Sequence, residues 1–165
     1  LYEYQVNTKK SADHISYKLF RELLSSLGYP VESMEDMKLL KLYEASKEFL
    51  TEEVSKEVFR SNRKIFTKDK SQAPTIYGED AEVKGSFVAT GCQINGTVED
   101  STLFRKVNIG KGAVVKNCVI MQSCKIGENV VLENVILDKN VTITSGKELK
   151  GDKDYPMVIE KNQTV

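Results

Sequence analysis

Histidine is almost missing from this sequence: His14 is the single one in 165 residues. A zinc site built on several imidazoles is therefore excluded, and an imidazole base could come from one position only. Net charge is missing too. The 24 basic and 24 acidic side chains cancel, so no field points to nucleic acid or to an anionic membrane surface. There is no run of about eighteen consecutive apolar residues and no signal-peptide pattern at the start, which leads us to expect a soluble, cytoplasmic protein without a membrane span. The three cysteines, Cys92, Cys118 and Cys124, form no CxxC pair. An odd count without a secretion signal reads as reduced thiols, two of them in core-like positions, rather than as metal or redox ligands. A glycine-rich phosphate loop is also lacking, since Gly110-Lys111-Gly112 has no strand-loop-helix context. The chain begins with Leu1 rather than Met, and the expectation is a fragment or a processed product of a longer protein.

What is present divides into two textures. Residues 13–27 put Ile15, Leu19, Phe20, Leu23, Leu24 and Leu27 on one helical stripe, with Asp13 as a cap and Gly28 and Pro30 as stops. His14 falls in this helix and reads as a surface residue. A second helix is expected from Ser33, with Asp36 three residues on, through Leu39, Leu42, Tyr43, Phe49 and Leu50. Thr51, Glu52 and Glu53 then start a short helix that ends near Arg60. The polar stretch that follows, up to Pro74, reads as a linker. The domain reading is a helical segment and linker over 1–70 and a β domain over 71–165.

From Ile76 onward β-branched residues, glycine and asparagine replace the helical period. Aliphatic residues return in columns: Val83, Val98, Val115 and Leu132; Val88, Leu103, Ile120 and Leu137; Ile94, Ile109, Ile126 and Ile143. A further column, Cys92, Val107, Cys124 and Val141, sits two residues before the last of these. Successive copies are 15, 17 and 17 residues apart. A period of about eighteen, divided into three near-hexapeptide steps, describes a triangular coil of three short parallel strands, each turning one aliphatic residue inward onto its copy in the next coil. The short step from Ile94 to Val98 implies one clipped corner. Gly78, Gly110, Gly127, Asn117 and Asn134 are expected at corners that need φ above zero. An antiparallel sandwich would have to produce four aligned columns by chance.

Solenoids of this kind carry several functions, so fold alone assigns none. The stretch from Arg63 to Ile143, together with the pieces "LYEASKEFL" before it and "YPMVIEK" after it, and within it "APTIYG" and "STLFRKVNIGKGAVVKN", resembles the C-terminal part of bacterial glucose-1-phosphate adenylyltransferase. The likeness covers about residues 39–160 and is strongest to the regulatory-type second subunit of glycogen synthesis. It implies a mainly β fold, a left-handed parallel β-helix (a hexapeptide-repeat solenoid) preceded by a small α-helical segment. It further implies that the nucleotidyltransferase domain, with its ATP and magnesium, lies outside this chain, which would itself be a non-catalytic regulatory and oligomerisation region without a cofactor of its own. The expected partners are that domain or a catalytic subunit, in an oligomer, with no nucleic acid and no membrane.

The family's basic contacts to a sugar-phosphate activator fall near Phe66, Lys106 and Asn108; of these Lys106 alone keeps a positive charge, with Arg105 beside it. Arg105 and Lys106 are therefore the candidate effector-phosphate contacts, and a solvated corner pair is the open alternative reading. The competing function is a hexapeptide-repeat acyltransferase, which would need His14 as its base. Whether the parent protein is an active enzyme is left open. The tail is polar until "YPMVIE", which could return as a last strand over one end of the coils.

Overall fold

The computed structural model describes residues 34–60 and 73–165. The helix expected from residue 13, the N-terminal part of the linker, and His14 lie outside the described residues. Among the described residues two helices come first, α1 (Met34–Leu50) and α2 (Glu52–Arg60). Glu52 and Glu53 occupy the first turn of α2, where carboxylates favour the exposed N–H groups.

Fifteen short strands follow, β1 (Ile76–Tyr77) to β15 (Met157–Ile159). They form three parallel sheets of five strands each, in the orders β1-β4-β7-β10-β13, β2-β5-β8-β11-β14 and β3-β6-β9-β12-β15. Each strand thus pairs with the strand three further on, and one turn of chain serves as the crossover that parallel pairing requires. This is a parallel β-solenoid, each coil closing onto the next through backbone bonds such as Gln93 N–H to Val107 O at 2.9 Å.

The register matches the sequence columns residue for residue. Val83, Val98, Val115 and Leu132 stack in the second sheet, and Val88, Leu103, Ile120 and Leu137 in the third. Ile94, Ile109, Ile126 and Ile143 stack in the first. From the second coil on, these side chains are buried and form one continuous core with Cys92, Val107, Cys124 and Val141. At about 1.5–3 kcal/mol for each fully buried aliphatic side chain, these stacks are the main stabilising element.

Corners are where the sequence expectation needs correction. Asn117 and Asn134 do adopt positive φ, at 50° and 53°, in a column with Gly85 and Asp100. Gly78, Gly110 and Gly127 do not. Their role is close approach: a Cβ on Gly110 would lie 2.6 Å from the Gly127 carbonyl carbon in the next coil. The second corner column, Gly91, Lys106, Ser123, Asn140 and Asn162, also lies in the left-handed region, with a lysine and a serine where glycine or asparagine is usual.

The last coil is the longest. Leu137 pairs with Ile159, 22 residues on, because the segment from Gly151 to Pro156 is inserted before β15. The tail does return as a strand, β15 on β12, and Val165 packs against the core while its carbonyl accepts from the Thr144 N–H at 2.8 Å. The first coil is open by contrast, with Ile76 60%, Tyr77 54% and Val83 37% exposed.

One compact unit runs from Leu39 to Val165 and contains most of α1 together with the coils. The reason lies on the outside of the third sheet. Its outward column carries Val119, Ile136 and Val158, and α1 lays Leu39, Leu40, Leu42 and Tyr43 over it. Val119, Ile136 and Tyr43 are buried as a result.

Candidate functional site

The two residues singled out by resemblance, Arg105 and Lys106, sit together on the corner between β6 (Thr102–Leu103) and β7 (Asn108–Ile109). The corner is pinned by its backbone: Lys106 N–H donates to Thr90 O at 3.3 Å, and Arg105 O accepts from the Ser123 N–H at 3.0 Å. Lys106 holds φ at 60°. Its side chain is exposed, Arg105 is half-buried, and neither makes an ion pair with a described residue. The adjacent coils place Thr90-Gly91 and Gln122-Ser123 at the same corner, and the coils beyond place Lys139-Asn140 and Lys161-Asn162 there, so basic residues recur along this column. Phe66, the other position indicated by the resemblance, lies outside the described residues, and Asn108 faces outward on β7, its amide 3.4 Å from Gln93 Oε1.

The clipped corner produces a second feature. Between Ile94 and Val98 the chain has two residues fewer than between Ile109 and Val115, and Gly96 floors a concavity of about 400 Å³. Lys111 from the coil above reaches Asp80 in the coil below at 3.2 Å, spanning the gap. Glu128 and Asn129 complete the wall. The lining is mixed in sign and open to solvent.

The thiols are occupied in structural roles. Cys92 Sγ donates to Phe104 O at 3.2 Å, Cys124 Sγ to Asp138 O at 3.0 Å and Cys118 Sγ to Lys116 O at 3.0 Å. Burial pushes Cys118 up to about 12 and Cys124 up to about 11, and it raises Cys92 as well. None is a thiolate near neutral pH, so none is a ready nucleophile. Among the described residues no group of His, Cys, Asp or Glu is arranged to hold a metal ion, and no helix is long and apolar enough to cross a membrane.

Sequence reasoning missed the helix-binding face. The signal was present in the doubled apolar pairs Val119-Ile120, Ile136-Leu137 and Val158-Ile159, where one residue points into the core and its neighbour outward. The corresponding outward residues of the first sheet are polar from the second coil on, Gln93, Asn108, Lys125 and Thr142, after Ile76 in the first coil.

Comparison with known proteins settles the family. The profile described as GlmU-like, C-terminal hexapeptide, matches residues 71–156. The chain belongs to this hexapeptide family. Among individual relatives, the glycogen biosynthesis protein GlgD of Bacillus subtilis (strain 168) is 44% identical over 121 residues, covering 73% of this chain and 35% of that protein. GlgD of Geobacillus stearothermophilus is 47% identical over 117 residues, covering 71% and 34%. The glucose-1-phosphate adenylyltransferase of Bacillus mycoides (strain KBAB4) is 32% identical over 135 residues, covering 81% and 36%. This hexapeptide chain therefore spans about a third of the length of the curated relatives it matches.

Proposed function

We propose that this chain is the regulatory and assembly region of a glucose-1-phosphate adenylyltransferase system in glycogen biosynthesis. The observation that carries the reading is the 44% identity to GlgD over 121 residues, with adenylyltransferases beside it at lower identity. The structure supports the reading only as far as a thiol nucleophile is concerned. Its buried thiols are held protonated and bonded to backbone carbonyls. In the whole system ATP and glucose 1-phosphate give ADP-glucose and pyrophosphate, with magnesium and nucleotide bound by a domain outside this chain. The partner is that domain or a catalytic subunit, and the compartment is the cytoplasm.

Arg105 and Lys106 are the contacts we assign to an effector phosphate. What supports this reading is that two basic side chains share one corner, Lys106 exposed and Arg105 half-buried, as a phosphate contact requires converging donors. The reading is tested with the isolated chain, ATP, glucose 1-phosphate and magnesium: no pyrophosphate is released. Clear turnover would sink the non-catalytic assignment.

A further inference from the structure

The outer face of the second sheet carries an alternation of charge that coil stacking favours, since opposite charges lie across neighbouring strands, and that also presents an ordered pattern to the outside. One outward column reads Lys84, Glu99, Lys116, Glu133, Lys150 through the five coils, its sign alternating at every step. The column beside it reads Glu82, Thr97, Val114, Val131, Glu148, apolar at its centre and polar at its ends. Val114 and Val131 are half-buried, and the Lys116 and Glu99 side chains are 46% and 36% exposed. The ladder closes only in part within the chain. Lys116 meets Glu99 at 2.9 Å, while Lys150 turns along its own strand to Glu148 at 2.5 Å. Glu133 makes no close ion pair with a described residue, although its charge adds to that of Glu99 in raising Lys116 and to that of Glu148 in raising Lys150.

We propose that this face is the contact between two copies of the chain, related by a two-fold axis that runs parallel to the strands between the third and fourth coils. Such an axis keeps the strand direction and reverses the coil order. Lys116 then meets the partner's Glu133, Glu99 meets the partner's Lys150, and Val114 lies over the partner's Val131, each contact occurring twice. Alternation makes the register selective. Shifting the axis by half a coil sets lysine against lysine and glutamate against glutamate. Of the other sign-matched registers, the one between the second and third coils lays Val131 on the partner's Glu82, and those nearer either end bring a single pair of coils together. The first sheet offers no comparable outward pattern, and α1 covers the third. Exposed ion pairs contribute little energy, but across an isologous contact they fix register and partner. Exposed ion pairs around two half-buried valines make a weak contact, so association is concentration-dependent.

This inference rests on the assembly part of the proposed function, but its test needs no adenylyltransferase and fails or succeeds separately. Sedimentation velocity of the full chain over a concentration series shows a monomer–dimer equilibrium that weakens with added salt. Lys116→Glu or Glu133→Lys alone sets like charges across the contact and weakens self-association by at least about tenfold. An equimolar mixture of the two variants restores it, because the new glutamate faces the new lysine at one contact and the native Glu133 and Lys116 face each other at the second. Glu99→Lys and Lys150→Glu provide an equivalent pair if either of the first variants does not fold. A wild-type chain that stays monomeric up to about 1 mM, the weak end of specific affinity, overturns the proposal. So does a trimer, or a mixture that associates no better than its components.

Discussion

The Tyr43 hydroxyl on α1 donates to the Asn117 carbonyl oxygen at 2.9 Å, across 74 positions of sequence. It ties the helix to a left-handed corner of the solenoid and ends an apolar contact in which Tyr43, Val119 and Ile136 are buried together. Replacing Tyr43 by Phe removes the hydrogen bond and keeps the ring, so urea denaturation should report a loss of about 0.5–1.5 kcal/mol. Tyr43→Ala also opens a cavity and should cost about 3–5 kcal/mol. Equal costs for the two variants would show that the ring is not packed on the third sheet.

Ile126 is stacked between Ile109 and Ile143. Ile126→Ala should therefore cost about 2–5 kcal/mol, and Ile126→Asp, which buries an unpaired charge, should prevent folding. A denaturation midpoint for Ile126→Ala that corresponds to less than about 0.5 kcal/mol, the scale of a surface change, would contradict the stack.

Gly110 tests the corner packing. A methyl group there meets Gly127 backbone at 2.6 Å, and the coils must move apart to admit it. Gly110→Ala is expected to destabilise by about 1–3 kcal/mol, read as a lowered thermal midpoint. An unchanged midpoint would mean that the corner has room.

Alkaline pH should unfold this chain earlier than a typical protein. Burial raises Cys118 from 9.0 to about 12 and Cys124 from 9.0 to about 11, so in the folded state both thiols keep protons that the unfolded chain releases. Burial likewise raises Tyr43 from 10.0 to about 12. For groups of this kind the stability is fully present below the unfolded pKa and is lost as pH rises toward the folded one. Chemical denaturation between pH 8 and pH 12 should show stability flat at first and then falling from about pH 9. A Cys118→Ala, Cys124→Ala double variant should fall less steeply over the same window; an identical slope would remove the thiols from the explanation.

Much of the fold was legible because the solenoid repeats its demands. Val98, Val115 and Leu132 meet the same neighbours one coil apart, so the same residue type recurs at a fixed spacing and the register follows. Single events were harder to read. The helix-binding column was hidden because Val119-Ile120 and Ile136-Leu137 look like one core signal, although only Ile120 and Leu137 point inward. Gly110 and Gly127 were expected to supply positive φ, whereas Lys106 and Ser123 have it, since stacking geometry rather than side-chain preference sets the corner backbone. Arg105 and Lys106 could be placed on one corner from the spacing, but what a corner binds depends on groups converging from outside the repeat, and the columns carry no information on those. The charge ladder from Lys84 to Lys150 was present in the sequence and became visible only when the register put its members side by side.

We propose that this chain regulates an adenylyltransferase without being one. That regulation is tested most directly by titrating the chain into a catalytic glucose-1-phosphate adenylyltransferase subunit and following pyrophosphate release at several sugar-phosphate concentrations. The account predicts no turnover by the chain alone, a saturable change in the catalytic subunit's rate or effector response, and a smaller change with an Arg105→Ala, Lys106→Ala variant. Turnover by the chain alone, or a catalytic subunit whose kinetics stay the same at every concentration of added chain, would contradict it.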